Sequence, residues 1–158
     1  MTAETRKAKE IISKIIYVTV ATVSKAGEPW NSPVYSAFDE NYIFYWVSPT
    51  ATQHSKNIKE NGKAFLVIYD STAPEGTGDG VYIKAKASEV RDLRELARAF
   101  KLLYARKNKK MRGIAYVLKK SPLRIYKAVP EKVWLNTFEK IGEHSVDGRI
   151  EVKLKKNS

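Results

Sequence analysis

The chain has 158 residues, 43% of them hydrophobic and 29% charged, with two histidines and no cysteine. That length supports one hydrophobic core and is short for two ordinary domains. Without cysteine there are no disulfides, thiolate nucleophiles or cysteine-held metals, and two histidines far apart in sequence give no metal-ligand pattern, so no metal is expected. The net charge is +12, yet residues 91–132 alone hold 14 Lys or Arg against 3 Asp or Glu, a balance of +11, so the excess is local.

Read in chain order, residues 3–15 place Ala8, Ile11, Ile12 and Ile15 on one side of a helix, giving an N-terminal helix within 1–16. The β-branched run YVTVATVS reads as a strand, and KAGEP after it has turn chemistry. WNSPVYSAF and YIFYWVS, separated by DEN, read as a tight hairpin. TQHSKNIKEN reads as a short helix closed by Gly62 as C-terminal cap. KAFLVIYD and GVYIKAKASEV are strands on either side of STAPEGTGDG, a Gly- and Pro-rich loop and a candidate substrate-side lid.

Residues 91–107 set Leu93, Leu96, Ala97, Phe100 and Leu103 on one stripe, with Arg91, Arg94, Arg98 and Lys101 off it, which is an amphipathic helix. A weaker helical stretch around MRGIAYVLKK completes a helical insertion at 91–120. LRIYKAVPEKVWLN is a strand, with Pro130 marking an edge or a bend. In the 140–158 tail, GRIEVKL alternates as a last short strand with enough charge to fray. Six strands joined mostly by hairpin-length links, with helices inserted late, make a mainly β or α+β chain, a single domain built on an antiparallel barrel. No apolar run approaches the ~18 residues of a membrane span, and the first thirty residues lack a signal-peptide pattern, so a cytoplasmic protein is expected.

Two features bear on function. The basic region suits a nucleic-acid or membrane surface, but no RNP-like, zinc-knuckle or helix-turn-helix pattern accompanies it, and a solvated helix face is the favoured reading. The segment SPTATQHS, between a strand end and a helix start, gathers hydroxyls, an imidazole and first-turn amides, the components of an anion site. With Thr52 as N-cap, and Ser48, Thr50, Gln53, His54, Ser55 and Lys56 nearby, the segment suits a phosphate monoester, although Ser and Thr before a helix usually serve just as caps.

The run VATVSKAGEPWNSPVYSAFDENYIFYWVS, then TQHSKNIKENGKAFLVIYDS, then GVYIKAKASEV resembles the pyridoxamine 5'-phosphate oxidase-like family of FMN-binding split barrels, over residues 10–90 and more loosely over 121–136. The resemblance implies an antiparallel six-stranded split β-barrel with peripheral helices, FMN as cofactor, and a homodimer with the cofactor at the subunit interface. It places Asn31, Ser32, Pro33 and Val34 against the flavin ring and ribityl chain, Trp46, Val47 and Ser48 at the flavin edge, and Thr52, Gln53, His54 and Ser55 on the phosphate. Trp134 or Tyr126 of one chain would close over the flavin of the other.

Departures from the family pattern narrow the activity. Asn31 and Ser36 stand where the true oxidase carries Arg and Lys, His54 stands where Lys is expected, and the oxidase's Arg-containing C-terminal signature is absent. The resemblance is thus to the FMN-binding relatives of unassigned substrate. It implies an oxidoreductase moving electrons or hydride between a reduced nicotinamide, NAD(P)H, and a small molecule, since the flavin carries the chemistry and the protein supplies binding and tuning. The alternatives are a non-catalytic flavin, deazaflavin or haem carrier of the same fold, and a basic nucleic-acid-binding module.

Overall fold

The structure is a computed structural model and describes residues 1–107, 113–118 and 120–155. Its elements run α1 (Ala3–Lys14), β1 (Tyr17–Val23), β2 (Pro29–Tyr35), β3 (Ala37–Phe38), β4 (Phe44–Pro49), α2 (Gln53–Asn61), β5 (Lys63–Tyr69), β6 (Gly80–Glu89), α3 (Leu93–Lys107), a 3-10 turn (Ile114–Val117), β7 (Leu123–Ile141) and β8 (His144–Glu151). All strand pairs are antiparallel, in the order β2-β1-β5-β6-β7-β4-β3, with β8 added to β7. The sheet curls into a split barrel. Among the described residues no helix is long and apolar enough to cross a membrane.

Strand alternation builds two cores. Val18, Val20, Phe44, Trp46, Leu66, Ile68, Val81 and Ile83 fill the barrel, closed by Ala8 and Ile12 of α1. On the other face of β4 and β7, Tyr45 and Ile125 meet Leu96, Phe100 and Leu103 of α3. The outward side chains of β1, β5, β6 and β7, among them Tyr17, Phe65, Val67, Tyr69, Tyr82 and Trp134, remain partly exposed, with Phe65 and Trp134 stacked at 6.2 Å.

Four sequence expectations change. Among the described residues there are eight strands, not six. The 29–49 hairpin closes only through Ala37–Phe38 against Tyr45 and Phe44, because the strand is interrupted at Ser36 and β2 spends its whole length on β1. The last strand begins at His144, earlier than GRIEVKL implied, and Val152 and Leu154 beyond it are buried in the barrel core. In the second helical stretch, residues 113–118 and 120 are described and form a 3-10 turn at Ile114–Val117; 111, 112 and 119 lie outside the described residues. Pro130 does mark a discontinuity. The β6–β7 register shifts at Lys84/Ala85, and Pro130 falls between the end of β4 pairing at Ala128 and the start of β8 pairing at Trp134, where its missing N–H costs no ladder bond.

Much of the local basic charge is structural. Arg106 donates from Nη2 to the carbonyls of Ile12 (2.8 Å), Ser13 (3.2 Å) and Ile15 (2.7 Å), closing the C-terminus of α1, and its guanidinium lies 4.9 Å from the Phe38 ring centre. Arg98 pairs with the buried Asp39 at 3.3 Å and donates to Tyr45 Oη at 3.2 Å, while Lys127 donates to Glu95 at 2.7 Å. Asp39 also accepts from the backbone N–H groups of Asn41 and Ile43, the turn role expected of it.

Candidate functional site

The start of α2 is built in an unusual way. Thr52 is the N-cap residue, in extended backbone, yet its side chain makes no cap bond to the helix. Instead Thr52 Oγ1 donates to the Pro49 carbonyl at 2.9 Å and lies 2.8 Å from Ser55 Oγ. The first-turn amides of α2 therefore lack the side-chain acceptor that Ser and Thr caps ordinarily supply.

His54 sits at the centre of the hydroxyls. Its Nε2 is 2.8 Å from Ser48 Oγ and 3.3 Å from Thr52 Oγ1, and its Nδ1 is 3.1 Å from Ser32 Oγ, which in turn accepts from Trp30 Nε1 at 3.0 Å. Burial pushes the imidazole below its ordinary pKa, so the ring is neutral at pH 7 and shares one proton among these hydroxyls. Behind it, burial raises the Tyr126 phenol, opposed by the hydrogen bond with Ser55.

These groups border a cavity of about 270 Å³ lined by Pro33, Val34, Val47, Ser48, Thr52 and His54, together with Tyr17, Tyr35, Leu103 and Lys107. It opens into a cleft of about 870 Å³ between α3 and the strands, which shares Tyr17, Tyr35, Val47, Leu103 and Lys107. Lys107 Nζ stands 4.4 Å from the Tyr35 ring centre. Positive charge thus reaches the cavity from α3.

Of the twelve site residues expected from sequence, the structure gathers Ser32, Pro33, Val34, Val47, Ser48, Thr52, His54 and Ser55. Trp46 is not in the cavity wall. Its side chain is fully buried in the barrel core, stacked on Tyr126 at 6.0 Å, because Phe44, Trp46 and Ser48 alternate inward along β4. Gln53 turns its amide to Asn57 Oδ1 (2.8 Å), and Asn31 is exposed on β2 opposite Ala21. Trp134 lies ten residues beyond Arg124, the β7 partner of Ser48, hence about 30 Å along the strand, out of reach of the cavity in its own chain. The loop at 71–79 joins β5 and β6 at that same far end, with Asp79 held by Lys7 at 2.8 Å, so it does not lie over this cavity. Tyr17, Tyr35 and Lys107 were not singled out as site residues from sequence; the basic end of α3 was a hint, but nothing local ties it to α2.

Another groove of about 630 Å³, lined by residues of β1, β5 and β6 and the end of α2, lies on the outer sheet face and shares none of these groups.

The sequence pattern described as pyridoxamine 5'-phosphate oxidase matches residues 4–137. The chain belongs to that family. No curated protein sequence matches it closely enough to count as a relative. Among solved structures, a heme-binding protein from Mycobacterium smegmatis is similar at 17% identity and TM-score 0.71, over 96% of this chain and 59% of that one. HutZ, described as a heme storage protein from Vibrio cholerae, is similar at 17% identity and TM-score 0.69, over 81% of this chain and 91% of that one. ChuZ from Campylobacter jejuni is similar at 15% identity and TM-score 0.69, over 82% of this chain and 54% of that one. The chain spans little more than half the length of the Mycobacterium smegmatis protein. At these identities the likeness is one of fold.

Proposed function

We propose that this family member is an FMN-binding flavoprotein and an oxidoreductase acting on a small molecule with a reduced nicotinamide as donor. The observation that carries the reading is the uncapped start of α2, opening into a cavity bordered by Ser48, Thr52, His54 and Lys107. A phosphate monoester suits this donor set, since backbone amides, hydroxyls and one lysine all offer protons to an anion. His54 donates whichever N–H its tautomer presents, or takes up a proton once an anion lies beside it. The β2 backbone at Pro33 and Val34 gives one edge for a flavin ring.

A single chain supplies only part of a ring enclosure. Trp134 lies far from its own cavity, which supports a homodimer in which the partner's Trp134 completes the site. When bound, FMN accepts or delivers a hydride or electrons at its own ring, and the chain's residues bind and orient it.

Haem binding, named for two of the similar structures, is the competing use of the fold. His54 favours it least, because both ring nitrogens already have hydroxyl partners. The test is a visible-absorption titration of the purified protein with FMN and, separately, with haemin. A resolved flavin spectrum that weakens in a variant with His54→Ala and Ser55→Ala supports the assignment, and reduction of bound FMN by NAD(P)H supports the activity. A protein that ignores FMN and develops a Soret band with haemin overturns it.

A further inference from the structure

We propose that the β7–β8 ribbon of one protomer seats in the tyrosine-lined cleft of a second copy, reciprocally, so that each chain's ribbon closes the other's cleft. The inference rests on the homodimer of the reading above and names the surfaces that form it.

The ribbon projects from the barrel. Pairing of β6 with β7 ends at Val81 and Leu135, while residues 136–141 of β7 pair only with β8. Those six residues extend about 20 Å past the sheet, and a two-stranded hairpin alone in water is marginal. Its base is fixed. The Arg149 guanidinium lies 3.9 Å from the Tyr82 ring centre, the Gly80 N–H donates to Asn136 Oδ1, and the Val152 N–H donates to the Val133 carbonyl at 2.9 Å. The ribbon therefore points away from its own cavity, toward which it cannot fold back.

Ribbon and cleft are complementary. Phe138 on one ribbon face, and Val146 and Ile150 on the other, are each more than two-fifths exposed. The cleft of about 870 Å³ presents Tyr17, Tyr35, Tyr104 and Tyr116, with Lys107 at its end. Charge runs the same way. Residues 134–151 carry four acidic residues against two basic ones in a chain of net charge +12, whereas the cleft is lined by Arg106 and Lys107 and, among the described residues, by no acidic side chain. Apolar side chains meeting tyrosines, with Asp147 and Glu143 toward a basic rim, give both cover and orientation. The arrangement also protects the open edge of β8, which otherwise invites unspecific strand pairing. A second copy is the one occupant that brings this ribbon and this cleft together twice at once.

The absence of native cysteine makes the test clean. In the full chain, Asp147→Cys with Lys107→Cys is treated with a short bismaleimide and run on a reducing denaturing gel, beside Asp147→Cys with Lys63→Cys, whose second site is on the other groove. The expected result is a band at twice 17.9 kDa from the first pair and little from the second. Sedimentation of the same proteins and FMN titration of the unaltered chain separate the failures. A dimer with no cross-link, or one cross-linked equally in both pairs, overturns the ribbon placement and leaves the homodimer standing. A monomer at every concentration overturns both, and an FMN titration without binding counts against the cofactor reading alone.

Discussion

Replacing Arg106 by Met removes a cation that joins two helices far apart in sequence. Its Nη2 donates to three carbonyls at the end of α1, at 2.7 to 3.2 Å, two of these bonds partly buried and one exposed. Hydrogen bonds from a charged group contribute about 1.5–3 kcal/mol each, and the exposed one contributes little. The two partly buried bonds together give about 3–6 kcal/mol, and charge at the helix C-terminus adds ~0.5 kcal/mol. Burial opposes this: desolvation holds the Arg106 guanidinium below its ordinary pKa, so part of the gain is spent in stripping its water. The apolar stem of Met keeps much of the packing on Phe38. The net expected loss is about 3 kcal/mol, which at a urea slope of ~2 kcal/mol/M lowers the unfolding midpoint by ~1.5 M. Arg106→Lys keeps the charge but loses the fork and is expected to recover about half. Equal midpoints for wild type and Arg106→Met would refute the claim that Arg106 is the cap of α1.

His54 predicts an acid limb. Its folded pKa is lowered by burial, so the unfolded chain binds a proton that the folded one refuses as pH falls below the ordinary value near 6.5. Stability is complete above about pH 7.5 and declines from there toward pH 5. Urea midpoints across that range should show the decline, and His54→Gln should flatten it; an unchanged slope contradicts the assignment. Gly62 closes α2 at φ +67°, where an added Cβ would stand 3.0 Å from the Ala87 carbonyl oxygen. Gly62→Ala is expected to cost about 1–2 kcal/mol, read by the same unfolding titration, and a neutral result denies the strain.

Local chemistry made some of this legible in sequence and long-range packing hid the rest. Thr52 and Gly62 bracket α2, and the aromatic and β-branched run around Trp46 identifies β4, because those signals act within a few residues. The hydroxyl cluster at the start of α2 was visible for the same reason. The bond that leaves α2 uncapped, Thr52 to the Pro49 carbonyl, depends on how the strand end turns and has no sequence signature. Lys107 at the cavity, and Arg106 on α1, join segments more than fifty residues apart, so a basic cluster that looked like a solvated face turned out to include a helix cap and a cavity wall. Trp46 shows the opposite error: a resemblance placed it at a ligand, while strand parity points its ring into the core.

The central claim is that the start of α2 holds a phosphate, and comparing FMN with riboflavin tests it most directly. Both present the same ring, so a difference in affinity measures the phosphate site. Two or more hydrogen bonds to a dianion, less the cost of desolvation, give about 3 kcal/mol, roughly a hundredfold in Kd. Isothermal titration should find FMN about a hundredfold tighter than riboflavin, with the gap narrowing to less than tenfold in His54→Ala. Equal affinity for the two flavins in the unaltered protein would contradict the account.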